Sequence, residues 1–109
     1  MVGLGGVLVE ALGDVALAPV PLTHDAASAL LGRLKAGKLL GPWRGQPAAD
    51  TEALIELMVR LSHFAADYVE EIAEIDLNPV IVHAQGQGVS IVDALIVKQP
   101  QAARRSAAE

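Results

Sequence analysis

The segment from residue 71 to residue 97 most constrains the fold, because its side-chain character alternates with a period of two. Alternation of this kind is typical of a strand with one buried face. One phase is apolar: Ile75, Leu77, Pro79 and Ile81. The other phase is polar: Glu74, Asp76 and Asn78. A glycine-rich turn sequence at residues 84–88 and an apolar run at residues 89–97 follow, so the segment predicts an antiparallel β-hairpin.

The turn fixes which residues of this hairpin face each other. If the turn is a two-residue loop centred on Gln85-Gly86, cross-strand partners have residue numbers that add to 171. Asn78 then lies opposite Asp93, on a shared face with Cβ atoms ~5 Å apart. Asp76 lies on the same face, diagonal to Asp93. The sequence therefore predicts that two carboxylates and one amide oxygen converge.

This polar cluster has two interpretations. A hard divalent ion would relieve the repulsion between Asp76 and Asp93, and Mg²⁺ typically binds one or two carboxylates plus substrate phosphates. Alternatively, the three side chains are solvated or turn-forming groups near strand ends. Asp93 favours the metal interpretation because it interrupts an apolar strand, where a charge is costly unless it is paired or bound to metal.

Upstream, a second hairpin and two helices are expected. Apolar runs at residues 7–12 and 15–22 flank Gly13-Asp14 and predict a hairpin, whose second strand lies at an edge or ends near Pro19 and Pro21. Thr23 is a predicted N-cap and Gly37 a predicted stop for the first helix. Its expected buried face is Ala27, Leu30, Leu31 and Leu34.

A loop at residues 37–49 leads to Asp50, the predicted N-cap of the second helix. The expected buried stripe of that helix is Leu54, Leu57, Met58, Leu61 and Phe64. Ile55 and Val59 widen the stripe, so we expect this helix to be covered on more than one side.

These elements predict an α+β fold of order β-β-α-α-β-β, with an antiparallel sheet of two hairpins and two helices on one face. The chain of 109 residues fits one small domain, over residues 1–97. Residues 98–109 carry no periodic pattern and are expected to form a disordered tail.

Composition narrows the function classes. The net charge of −5 argues against a nucleic-acid partner, because proteins bind phosphate backbones through clustered Lys and Arg side chains. The chain contains no cysteine, which excludes disulfides and thiolate metal sites. No apolar run approaches the ~20 residues needed to span a bilayer. Because no signal peptide is recognisable either, a cytoplasmic location without membrane contact is expected.

Residues 74–82, Glu-Ile-Asp-Leu-Asn-Pro-Val-Ile-Val, and residues 89–94, Val-Ser-Ile-Val-Asp-Ala, resemble the metal-binding hairpin of a known family. That family is the ATP-grasp domain of NDP-forming acyl-CoA synthetases, whose superfamily includes the succinyl-CoA synthetase β subunit. The resemblance assigns the magnesium of the nucleotide to Asn78 and Asp93, with Asp76 in a supporting role.

The resemblance extends over residues 3–97, as a partial, carboxy-terminal lobe of the domain. It is carried upstream by Gly3-Leu4-Gly5-Gly6-Val7 with Glu10 and Asp14, by Pro21-Leu22-Thr23, and by Arg44-Gly45 with Pro47 and Asp50. Gly5 and Gly6 are candidates for backbone contact with phosphate, or else they shape the strand entry. Arg44 is a candidate anion contact, or else it holds its loop to Asp50 or a helix end.

The implied parent reaction is acyl-CoA + NDP + phosphate ⇌ acid + CoA + NTP, with Mg²⁺ and ATP or ADP as cofactors. The family's other ATP-grasp lobe, its CoA-binding domains and its phosphorylated His are not recognisable here, so we expect the isolated chain to be inactive. His24, His63 and His83 match no family catalytic position. The alternative is a non-catalytic module derived from the same domain, which forms a homodimer or docks onto a partner through an exposed apolar face.

Overall fold

The computed structural model describes residues 1–3, 13–35, 40–41 and 47–100. The elements in these ranges follow the expected order β-β-α-α-β-β, with the last hairpin divided into four short strands. They are β1 (Val2–Gly3), β2 (Val15–Ala16), α1 (His24–Gly32), α2 (Thr51–Asp67), β3 (Ile72–Leu77), β4 (Val80–Val82), β5 (Val89–Ile91) and β6 (Ala94–Lys98). The fold is α+β with antiparallel strands, as predicted.

The first helix begins where the sequence predicts and ends earlier. Thr23 is the N-cap, and its hydroxyl accepts the N–H of Ala26 at 3.1 Å. The prediction that the helix stops at Gly37 was wrong, because α1 ends at Gly32, and Gly37 itself lies outside the described residues. Three residues after α1, the N–H of Lys35 donates to the Asp14 carboxylate at 2.7 Å.

The second helix buries one edge of the predicted wide stripe, where Met58 and Val59 also pack against the core. Asp50 is its N-cap, as expected. Leu54 and Ile55 are buried, but Leu57 and Leu61 are only half-buried and Phe64 is 41% exposed. The prediction was therefore wrong for those three positions. Helix α1 packs on the Ile55 side, which leaves the other edge of the apolar stripe partly in solvent.

The core lies between the two helices and one end of the long hairpin. Its buried members are Ala16, Leu22, Ala27, Leu30, Leu31, Leu54 and Ile55. Val80, Val82 and Val89 pack against this cluster from β4 and β5. Ile81, which was expected on the apolar face, is 45% exposed. The alternation changes phase at Pro79, where β3 and β4 are separated and a ladder hydrogen bond cannot be donated.

The hairpin register is the predicted one. In the β3–β6 ladder Leu77 pairs with Ala94, and in the β4–β5 ladder Val82 pairs with Val89, so these partner numbers add to 171. The register holds from the turn back to Glu74 and shifts by one residue before Ile72, which pairs with Lys98. The N–H of Gln87 donates to the Ala84 carbonyl at 2.8 Å, which closes a two-residue loop centred on Gln85-Gly86. In the described residues the strands form three two-stranded ladders rather than one continuous sheet.

The first hairpin is much shorter than expected in the part that is described. Val2 pairs with Ala16 and Gly3 with Val15. The predicted strand at residues 15–22 ends at Ala16, ahead of the two prolines. The predicted strand at residues 7–12 lies outside the described residues.

At the carboxy-terminal end, β6 runs to Lys98, and the Gln99 N–H donates to the Glu71 carbonyl at 2.8 Å. Residues 101–109 lie outside the described ranges. Among the described helices, none is long and apolar enough to cross a bilayer.

Candidate metal site and its support

The structure brings Asn78 and Asp93 opposite each other at the break between the two ladders. The N–H of Asn78 donates to the Asp93 carbonyl at 3.1 Å, and the N–H of Val92 donates to the Pro79 carbonyl at 3.0 Å. The hairpin is therefore continuous across the break, although Asn78 and Asp93 belong to no strand. Both side chains are exposed.

Asp76 lies one polar position earlier in β3, opposite Leu95, and is also exposed. In the described residues no group of three or more His, Cys, Asp or Glu side chains is arranged to hold a metal. The available donors here are two carboxylates and one amide oxygen. These hard oxygen ligands suit Mg²⁺, and they leave room for the waters and phosphate oxygens that usually complete its shell.

The Asp93 side chain has one intramolecular partner in the described residues. One of its carboxylate oxygens accepts the N–H of Ala94 at 2.9 Å. This bond restricts the side chain without burying it. A carboxylate held in this way can still offer lone pairs to a cation approaching from solvent.

Asp50 contacts the turn at the opposite end of the hairpin, a contact that its prediction as a helix cap does not include. One carboxylate oxygen accepts the N–H of Ala53, and the other accepts the N–H groups of Gly86 and Gly88 at 3.1 and 2.8 Å. The N–H groups of Gly88, Ala53 and Gly86 lower the pKa of Asp50, because they stabilise the ionised form. Asp50 and Gly86 are 36 positions apart in the sequence, so this contact could not be predicted from local patterns.

The predicted nucleotide contacts Gly5, Gly6 and Arg44 lie outside the described residues. Among the histidines, His24 pairs with Glu52 at 2.9 Å, and the hydrogen bond and charge of Glu52 raise the pKa of His24. His83 bonds the Ser90 hydroxyl at 2.6 Å. These contacts give both side chains structural partners.

Strand β6 exposes apolar side chains on both faces. Leu95 is 56% exposed, and Ile96, which points to the opposite face, is 53% exposed. Asp76 and Leu95 pair directly, so the predicted metal cluster adjoins this apolar strand.

Comparisons with known proteins agree with this architecture. The family model described as "ATP-grasp domain" matches residues 1–97. The β subunit of acetate–CoA ligase [ADP-forming] II from Pyrococcus furiosus is 39% identical over 97 residues, which cover 89% of this chain and 41% of that protein. The 4-hydroxybutyrate–CoA ligase [ADP-forming] of Nitrosopumilus maritimus is 40% identical over 96 residues, 88% of this chain and 14% of that protein.

A solved structure shares the fold. It is the dinucleotide-forming acetyl-coenzyme A synthetase 1 of Candidatus Korarchaeum cryptofilum, in complex with coenzyme A and Mg-AMPPCP. The match has a TM-score of 0.82 and 40% identity, and covers 89% of this chain and 44% of the solved one. This chain thus spans less than half the length of the relatives that it matches.

Proposed function

The chain belongs to the ATP-grasp domain family, and we propose that it is the Mg²⁺–nucleotide-binding part of an ADP-forming acyl-CoA synthetase. Asn78 and Asp93 contribute the metal ligands in this proposal, and Asp76 supports them. The observation that carries it is the pairing of Asn78 with Asp93 at the open break of the hairpin, beside a third acidic side chain. The proposed functional unit comprises residues 1–97.

The three side chains have different tasks. Asp93 supplies a full negative charge, whereas the amide oxygen of Asn78 is a neutral ligand that limits repulsion between neighbouring acids. Asp76 adds negative potential from the adjacent polar position of β3. The bound ion would neutralise charge on the nucleotide phosphates during phosphoryl transfer. None of the three acts as a nucleophile or a general base in this proposal.

The parent reaction we propose is acyl-CoA + NDP + phosphate ⇌ acid + CoA + NTP. The relatives named above act on acetate and on 4-hydroxybutyrate, yet both align with this segment. A segment shared by ligases of different acids is a poor candidate for the acid pocket. We therefore assign phosphate and metal contacts to this chain, with Gly5, Gly6 and Arg44 as proposed nucleotide contacts, and place acid selection elsewhere in the synthetase.

Titration calorimetry of the 109-residue protein with Mg²⁺, alone and with AMPPCP, tests the metal assignment. We expect weak, millimolar-range binding, because substrate phosphates normally complete the magnesium shell. Asn78→Ala and Asp93→Asn should abolish the heat. Glu74→Gln is the matched control, because Glu74 is an exposed acid on the same strand that pairs with Val97 instead. Equal binding by the wild type and Asp93→Asn would overturn the assignment.

A second candidate function is a non-catalytic dimerising module, which the exposed apolar side chains of β6 favour. Sedimentation equilibrium separates it from the first proposal. A stable dimer that Leu95→Lys dissociates, in a protein that gives no heat with Mg²⁺ or nucleotide, would support the module. A monomer that binds Mg²⁺ would exclude it.

A further inference from the structure

The chain segment that begins α2 forms hydrogen bonds with the turn of the hairpin of residues 72–98. This segment holds the outgoing arm of the turn through backbone bonds: the Asp50 N–H donates to the His83 carbonyl at 2.7 Å, and the Gln85 N–H donates to the Ala48 carbonyl at 2.8 Å. These bonds do not depend on the side chain at position 50.

The returning arm is held differently. A single carboxylate oxygen of Asp50 accepts the N–H groups of both Gly86 and Gly88. Both glycines have positive φ angles, 85° and 79°, which other residues rarely adopt. The Asp50 side chain therefore hydrogen-bonds the start of α2 to the returning arm.

This connection matters because the apolar pattern alone does not fix the register. A one-residue slip would turn the side chains of one arm away from the core, so the packing of Val82 and Val89 opposes it. A two-residue slip keeps every side chain on its own face. It would set Leu95 opposite Asn78 in place of Asp93, so the apolar pattern tolerates a register that separates the proposed metal ligands.

We propose that Asp50 is a positioning residue whose carboxylate excludes this two-residue slip and so keeps Asn78 opposite Asp93. The inference rests on the proposed function in one respect: the register affects chemistry only if the Asn78–Asp93 pair binds the cation. Asp50 touches neither residue of that pair. It acts by fixing the turn from which the pairing of the two arms follows.

Three variants separate this role from simple helix capping. Asp50→Ser keeps a hydroxyl that can cap α2 through the Ala53 N–H but is too short to reach the turn. Asp50→Asn keeps one carbonyl oxygen, which can face Gly86 and Gly88. Thr23→Ala is the matched control, because it removes the N-cap of α1, whose hydroxyl accepts from Ala26.

Disulfide trapping measures the register directly, because the natural chain has no cysteine. The pair Val80→Cys with Ile91→Cys reports the native register, in which these residues are partners. The pair Val82→Cys with Ile91→Cys reports the two-residue slip. Such diagonal residues lie ~7–8 Å apart in a native ladder, which disfavours a disulfide.

We expect Asp50→Ser to raise the ratio of slipped to native cross-link at least about tenfold, the order expected when a hydrogen bond to a charged group is lost. Asp50→Asn should give a ratio between those of the wild type and Asp50→Ser, because it keeps an oxygen acceptor without the charge, and Thr23→Ala should leave the ratio unchanged. An unchanged ratio in Asp50→Ser would overturn the inference. A second measurement uses the wild type and so does not depend on whether the variants fold. If the Gly86 and Gly88 amides of the wild type exchange without protection, the inference about Asp50 is also overturned.

Broadening of the Asn78 and Asp93 resonances by Mn²⁺, used as a probe for Mg²⁺, distinguishes the two proposals. Loss of broadening together with the shifted register in Asp50→Ser supports both. If Asp50→Ser retains both the broadening and the native register, the proposed role of Asp50 is overturned and the metal site is supported. If the register shifts in Asp50→Ser but the wild type shows no broadening, the positioning role of Asp50 is supported and the metal site is overturned.

Discussion

The backbone N–H of Asn78 donates to the carbonyl oxygen of Asp93 at 3.1 Å, at the point where one two-stranded ladder gives way to the next. Pro79, which follows Asn78, has no N–H to donate, so its neighbourhood cannot form a regular ladder. Main-chain atoms make this contact, and both side chains remain exposed. Changing either side chain should therefore alter ligand chemistry with little effect on folding.

Alanine substitutions on helix α2 should show that its two apolar edges contribute differently to the free energy of unfolding. Ile55 is 2% exposed and packs in the core, so Ile55→Ala should destabilise the protein by about 2–5 kcal/mol. Leu57 is half-buried, and Leu57→Ala should cost clearly less. Urea unfolding followed by circular dichroism measures both. A larger loss of stability for Leu57→Ala than for Ile55→Ala would contradict this prediction and favour the stripe that the sequence predicts.

Ser62→Ala should destabilise the protein although it improves helix propensity. The buried Ser62 hydroxyl accepts the N–H of Leu22 at 2.8 Å and donates to the Val59 carbonyl at 2.7 Å. Its removal leaves the Leu22 N–H without this acceptor, at a cost of about 1–3 kcal/mol. Ser28→Ala on α1 is the control, because Ser28 is exposed. Equal stabilities of the two variants in urea would contradict this prediction.

Stability should depend on the ionisation of Asp50. Its folded-state pKa lies below 3.8 because backbone N–H groups of Gly88 and Ala53 stabilise the carboxylate. A lowered pKa means that the carboxylate stabilises the fold above pH 3.8, and that this contribution is lost as pH falls through the folded-state value. Thermal melts of the wild type and Asp50→Asn should therefore differ at neutral pH and converge in acid. A constant difference across that range would refute this.

The 109-residue chain should not produce acyl-CoA from CoA, acid and ATP, because it spans less than half of the ligases that it matches. Chromatographic detection of acetyl-CoA is the assay, with the complete Pyrococcus furiosus ligase as the positive control. Turnover by the pure chain above the background without protein would show that the segment carries more of the enzyme than we propose.

Local sequence patterns were sufficient to predict those features of the fold that neighbouring residues determine. Thr23 and Asp50 cap helices as predicted, since capping depends on side-chain type over three residues. The hairpin register from the turn back to Glu74 followed from one glycine turn, because a short loop sets the pairing of the strands that it joins. The shift between Glu74 and Ile72 carries no such local signal.

The remaining features depend on contacts between distant residues. The end of α1 at Gly32 involves Asp14, which binds the Lys35 N–H from 21 residues away. Only one edge of the predicted apolar stripe of α2 is buried, because the position of α1 decides which edge of a wide stripe is covered. Ser62 gave one usable signal, a polar residue beside that stripe, but its partner Leu22 is 40 residues away.

The most direct test of the metal assignment is a crystal grown with Mn²⁺ and AMPPCP and measured at the manganese absorption edge. We predict an anomalous peak between the amide oxygen of Asn78 and the carboxylate of Asp93, at about 2.0–2.2 Å from each, near the distances typical of magnesium ligands. A peak at another position, or the two side chains turned to opposite faces of the hairpin, would contradict the proposed function.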